Sequence, residues 1–139
     1  MNIVEELISL ETAKLAREVG FNVDTKLCYI EGHKEELFPV SNDFKLQYHT
    51  DIHNFNDSNG YYSAPTQSIL QKWIRIEHEL HIRIDHNRFK NPQCKWGYNI
   101  EMMMHSPTAM KFGLKTYEAA LEAGLLEALI IIYDNKKPY

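Results

Sequence analysis

The sequence predicts an α+β fold, in which three helices pack on one face of a single, mainly antiparallel four-stranded sheet. Two apolar patterns support this prediction. In three segments apolar residues recur every three to four positions, as on the buried face of a helix. Between these segments they recur at every second position, as in half-buried strands. The predicted order is helix, strand, strand, helix, strand, strand, helix.

The first helix is predicted over residues 10–19. Ser9 is a typical N-cap residue, and Glu11 places an acid in the first turn, where the helix dipole favours it. Gly20 suits the left-handed conformation that often ends a helix.

Two strands are expected next. Residues 26–30 are rich in β-forming side chains, and residues 44–49 alternate between apolar and polar. The alternation predicts that Phe44, Leu46 and Tyr48 face the core.

Residues 51–63 are predicted to form a long polar loop, because asparagine, aspartate, serine and glycine favour turns. Loops of this length are often functional. Residues 135–139 are expected to be a flexible tail, and residues 1–139 to form one globular domain.

The second helix is predicted to begin at Pro65, a residue that suits the first helical position. Its core-facing stripe is predicted from the four-three-four spacing of Ile69, Trp73, Ile76 and Leu80, with Leu70 and Ile74 beside them. Trp73→Ala should therefore be among the most damaging single changes.

The second pair of strands is expected at residues 81–85 and 95–102, which both alternate. The inward side chains are predicted to be Ile82, Ile84, Trp96, Tyr98, Ile100 and Met102.

The last helix is predicted to begin after an N-cap at Thr116, with Glu118 in its first turn. Gly124, in the middle of this helix, predicts a close approach to another backbone. The methionine run at residues 102–104 and the apolar helix end at residues 129–133 predict a homodimer or another homo-oligomer.

Composition argues against several classes of protein. The formal charge of −4 and the lack of a basic cluster argue against nucleic-acid binding. No apolar stretch approaches the length of a membrane span, and no targeting segment is visible. Cys28 and Cys94 are expected to be reduced, in a cytoplasmic protein.

No catalytic, metal or cofactor motif can be read from the chain. His49, Asp51 and His53 alternate and could converge on a metal, but no further ligand stands at a reliable spacing. Glycine-rich phosphate loops and a Gly-x-Ser-x-Gly motif are absent from the sequence. The sequence therefore predicts neither a metal site nor a cofactor.

One surface could bind a nucleotide or another anion, because aromatic and basic side chains together supply stacking and charge. Its candidate residues are Tyr61, Tyr62, Lys72, Arg75 and Arg83.

Three stretches, residues 9–22, 64–75 and 116–129, resemble a group of small uncharacterised proteins of gut bacteria, their prophages and phages. This resemblance covers the predicted helices and implies a mobile-element accessory protein, without implying an activity.

The leading hypothesis is a non-enzymatic protein that binds a host or phage protein, or a small ligand. A small enzyme or binding protein acting on a nucleotide or nucleic acid is the alternative, and a structural or packaging component is the third possibility.

Overall fold

A computed structural model of the chain describes residues 3–30, 45–87, 95–102 and 107–136. This part of the chain has an α+β fold, as the sequence predicts. Its helices are α1 (Leu10–Glu18), α2 (Gln67–His78) and α3 (Tyr117–Lys136), and its strands are β1 (Thr25–Ile30), β2 (Lys45–His53), β3 (Tyr61–Ser63), β4 (Leu80–His86), β5 (Trp96–Met102) and β6 (Pro107–Leu114).

The predicted single four-stranded sheet is wrong. The described strands form two three-stranded antiparallel sheets, in the orders β2-β1-β3 and β4-β5-β6. Two of these strands, β3 in the first sheet and β6 in the second, were not predicted from the sequence. β3 has only three residues, too few for an alternating pattern to be recognised, and β6 contains a glycine and begins with a proline, residues that are depleted in strands.

The predicted loop at residues 51–63 is largely ordered into secondary structure. β2 continues to His53, a 3₁₀ helix spans Phe55–Asp57, and β3 pairs with β1. Its polar side chains hold this segment together: the Asn56 side-chain oxygen accepts from the Ser63 N–H at 2.9 Å, and the Ser63 hydroxyl accepts from the Phe55 N–H at 3.1 Å.

The residues that flank α1 at its start and at its end have the roles that the sequence predicts. The Ser9 hydroxyl accepts a hydrogen bond from the Thr12 N–H at 3.2 Å, and Gly20 has a φ of +95°. A residue with a Cβ would be strained at that angle, so glycine here allows the chain to leave the helix and turn.

The predicted core face of β2 is wrong. Leu46 is 48% exposed and Tyr48 is 61% exposed, whereas Phe44 lies outside the described residues. β2 is an edge strand, and the side chains of Leu46 and Tyr48 are not covered by the described part of the chain. None of residues 46–53 is fully buried, so the alternation of this edge strand does not identify a core face.

The buried face of α2 is rotated from the predicted stripe. Leu70, Trp73 and Ile74 are buried as expected, but Ile69 is 42% exposed and Ile76 is 60% exposed. The apolar stripe is wide enough to pack in more than one orientation, and contacts with α3 and β4 select the Leu70–Ile74 side.

α3 is the central element of the core. It packs against α1, α2 and all three strands of the second sheet. A Cβ on Gly124 would lie 2.9 Å from Ile82 Cγ2 and 3.1 Å from Tyr98 Cβ. The expected close approach therefore exists, although the atoms that approach belong to side chains of the sheet.

The ends of α3 agree in part with the predictions. The Thr116 hydroxyl accepts from the Ala119 N–H at 3.0 Å, as expected of an N-cap. The predicted tail at residues 135–139 is wrong for Asn135 and Lys136, which belong to α3, and residues 137–139 lie outside the described part. Among the described helices, none has the length and apolarity that a membrane crossing requires.

Candidate functional site

The first sheet carries a cavity of about 410 Å³ at the end of β2. The described residues that line it are residues 49–53, together with Phe55, Ser58 and Tyr61. This volume falls within the range of pockets that bind small molecules.

The pairing of β2 with β1 is irregular next to this cavity. Thr25 pairs with His53, and Leu27, two residues later on β1, pairs with Tyr48, which is five residues from His53 on β2. Between these two pairs, β2 therefore contains more residues than β1. The extra residues bend β2 out of the regular ladder, as a bulge does. Residues 49–52 are thereby released from regular pairing and become available to line a site.

Two imidazole rings and Phe55 form an aromatic wall. The Phe55 ring centroid lies 4.7 Å from that of His49, with a tilt of 41°, and 5.3 Å from that of His53, in an edge-to-face arrangement. These are favourable geometries for aromatic pairs. Phe55 is buried, so the two histidines stand on a fixed apolar base.

Hydrogen bonds behind the wall hold Phe55 in place. The Asn54 side-chain oxygen accepts from the Asn56 N–H at 3.1 Å and caps the 3₁₀ helix. The Asn56 amide nitrogen donates to the Phe21 carbonyl at 2.8 Å, which ties the segment to the end of α1. Together with the Asn56–Ser63 bond, these contacts organise the site before any ligand arrives.

His49 has one unusual property. Its Nε2 is buried and has no hydrogen-bond partner. A polar atom withdrawn from water without a partner costs about 1–3 kcal/mol, and such atoms in folded proteins are uncommon. The aromatic contact with Phe55, instead of a hydrogen bond at Nε2, therefore stabilises the position of this ring.

The two predicted tyrosines have different surroundings. Tyr61 lines the cavity, whereas the ring of Tyr62 lies 5.2 Å from the Arg17 guanidinium carbon and 5.9 Å from the Lys14 ammonium nitrogen. Arg17 also donates to the Tyr61 carbonyl at 2.8 Å. Successive strand residues point to opposite faces, so only one tyrosine can face the cavity.

The predicted basic residues stand elsewhere in the fold. Lys72 and Arg75 are exposed on α2. Arg83, on the second sheet, binds the carboxylates of Asp85 at 3.0 Å and Glu101 at 2.7 Å. The hydrogen bond and charge of Asp85, followed by the charge of Glu101, raise the pKa of Arg83. Tyr61 is thus the member of the predicted set that lines the cavity.

Within the described ranges, no three histidine, cysteine, aspartate or glutamate side chains are placed to hold a metal ion. The imidazoles of His49 and His53, which alternate with Asp51 in the sequence, instead contact Phe55.

Sequence reasoning missed Thr50, Ile52, Phe55 and Ser58 as members of the site. One signal was available: Phe55 is a lone aromatic residue within a polar segment that also contains Asn54, Asn56 and Ser58. A large apolar side chain in such a segment is commonly an anchor that packs against the domain.

Comparisons with protein-family models, with curated proteins and with solved structures found no match to this chain.

Proposed function

We propose that this protein binds a small planar ligand in the cavity between β2 and the 3₁₀ helix. The observation that carries the proposal is the aromatic wall of His49, Phe55 and His53, which stands on a preorganised base and lines an open volume. Planar ligands suit such a wall because their faces stack on aromatic rings and exclude water.

The lining suits recognition by both stacking and hydrogen bonding. Ile52 and Phe55 supply apolar surface, while Thr50, Ser58 and Tyr61 supply hydroxyl groups that donate and accept. The lining therefore combines apolar and polar surface in similar amounts, so a ligand can be held by both kinds of contact. The contacts of both imidazole rings with Phe55 form this wall, and they support ligand binding as the role of the site.

The wider setting of the protein remains a prediction. The resemblance in the three helices is the basis for a role as a phage or mobile-element accessory protein. Self-association likewise stays a prediction: Ile130 and Tyr133 are partly exposed, as is Met102, whereas Met103 and Met104 lie outside the described residues.

Thermal unfolding with four planar probes, namely adenine, indole, nicotinamide and tyramine, tests the proposal. A ligand present at 100 times its dissociation constant stabilises a folded protein by about 2.7 kcal/mol, which gives a clear rise in Tm. We expect at least one probe to raise the Tm of the full chain.

A matched pair of variants locates the binding. Ser58→Phe should fill the cavity and abolish the rise in Tm, because the Ser58 side chain lines it. Asn59→Phe adds the same ring at the next, exposed position and should preserve the rise. A rise that persists in Ser58→Phe, or the absence of any rise in the unsubstituted protein, would contradict the proposal.

A further inference from the structure

We infer that the cavity selects a planar ligand that carries an organic cation, such as an ammonium group, with the Asp51 carboxylate as the group that recognises the charge. This inference rests on the proposed function, because it assigns a ligand class to the same site. It follows from the distribution of charge around the cavity.

Asp51 is the one acidic side chain among the described residues that line the cavity, and none of those residues is a lysine or an arginine. Asp51 is therefore the one formally charged side chain of the described lining when histidines are counted as neutral. A cationic ligand is attracted to such a lining, and an anionic ligand is repelled.

Two basic side chains elsewhere in the fold are already engaged. Arg17 donates to the Tyr61 carbonyl and lies against the Tyr62 ring, on the face of β3 that turns away from the cavity. Arg83 is paired with two carboxylates on the other sheet. Neither arginine lines the cavity, so neither supplies a partner of opposite charge to an anion bound beside His49.

The aromatic lining adds to the preference for a cation. Ring faces carry a partial negative charge and attract ammonium groups within about 6 Å of the ring centroid. Tyr61, which is half-buried, supplies such a ring among the residues that line the cavity. A planar ring with an attached ammonium group could therefore stack on the wall and place its charge at the carboxylate.

Three probes with the same indole ring isolate the effect of charge: tryptamine is a cation, tryptophol is neutral and indole-3-acetate is an anion. Their affinities for the full chain are measured by isothermal titration calorimetry at pH 8, above the usual titration range of histidine. We expect tryptamine to bind about fivefold more tightly than tryptophol, the size of effect that a solvated carboxylate gives. Indole-3-acetate should bind most weakly.

Asp51→Asn should remove the preference for tryptamine over tryptophol, which is measured as the ratio of their two affinities in the same variant. Asp57→Asn is the matched control, because Asp57 is an exposed acid in the adjoining 3₁₀ helix. This variant should keep the preference, since long-range attraction alone is screened by salt.

The outcomes separate the inference from the proposed function. If all three probes bind with equal affinity, or if indole-3-acetate binds most tightly, the site exists but the charge assignment is wrong. A preference that survives in Asp51→Asn, or that is lost equally in Asp57→Asn, overturns the role of Asp51. If none of the three probes binds and the four-probe thermal screen is also negative, the proposed function fails together with the inference.

Discussion

Glu122 accepts a hydrogen bond from the Thr12 hydroxyl at 2.7 Å, which joins α3 to the first turn of α1. The same carboxylate oxygen accepts from the Ser9 N–H at 2.7 Å, and the other oxygen accepts from the Gln67 side-chain amide at 3.0 Å. One side chain thus joins the start of two helices to the middle of a third. Its negative charge also complements the dipole at the N-terminus of α1.

Glu122→Gln should lower the free energy of unfolding by about 1–3 kcal/mol, because an amide nitrogen would replace one acceptor oxygen and face a donor. Glu118→Gln, one turn earlier on α3 and exposed, is the control and should cost much less. Urea denaturation of the two variants measures the difference. Equal losses would show that the three accepted bonds at Glu122 contribute nothing specific.

Trp73→Ala should cost about 3–5 kcal/mol of stability, because the buried indole packs edge-to-face on Phe21 with ring centroids 5.2 Å apart. Ile76→Ala, on the same helix, should change stability by less than about 0.5 kcal/mol, since that side chain is mostly exposed. The predicted stripe places both side chains in the core and so implies a substantial cost at Ile76 as well. Chemical denaturation therefore distinguishes the observed face of α2 from the predicted one.

Gly124→Ala should destabilise the protein by about 1–3 kcal/mol. Helix propensity alone predicts a gain of about 1 kcal/mol, but the new methyl group would press on the rigid Cγ2 of Ile82. Ile82→Ala removes that atom, so in this background the cost of Gly124→Ala should shrink or change sign. A double-mutant cycle measures this coupling, and strictly additive effects would argue against the contact.

Stability should fall as pH rises above about 10, the ordinary value for tyrosine. Burial, with a smaller effect from the charge of Glu127, raises the pKa of Tyr98, and burial followed by the charge of Glu122 raises that of Tyr29. The folded state therefore retains these protons to higher pH than the unfolded state. The resulting stability is complete below the ordinary value and is lost as pH rises through the folded-state pKa.

Tyr98→Phe should flatten this alkaline dependence, whereas Tyr48→Phe should leave it unchanged because the Tyr48 side chain is exposed. Urea denaturation across a series of pH values from about 8 to 11 gives the two slopes. Identical slopes in both variants would exclude Tyr98 as a source of the effect.

Local sequence signals predicted local structure well. Ser9 and Thr116 mark the starts of α1 and α3 because a hydroxyl that caps a helix acts within three residues. β4 and β5 lie within a residue of their predicted limits, because alternation over seven positions is a strong pattern.

Features that depend on distant partners could not be predicted in this way. The number of sheets depends on which strands pair, and β3 is a strand because β1 lies beside it. The exposed Tyr48 and Ile76 belong to apolar patterns whose orientation is set by packing. The cavity arises from a register shift between β1 and β2, which no periodicity within β2 reveals. Only Tyr61 connects the predicted site with the observed one.

The position of α3 has a consequence for synthesis in the cell. Two helices and six described strands precede it in the chain, yet the apolar faces of both helices and of β4, β5 and β6 meet on residues 117–136. A nascent chain that leaves the ribosome in this order holds Ile82 and Tyr98 uncovered until α3 has emerged. Folding would therefore be completed only after the last turns of α3 have been synthesised. Earlier folding intermediates would expose apolar surface and be substrates for chaperones.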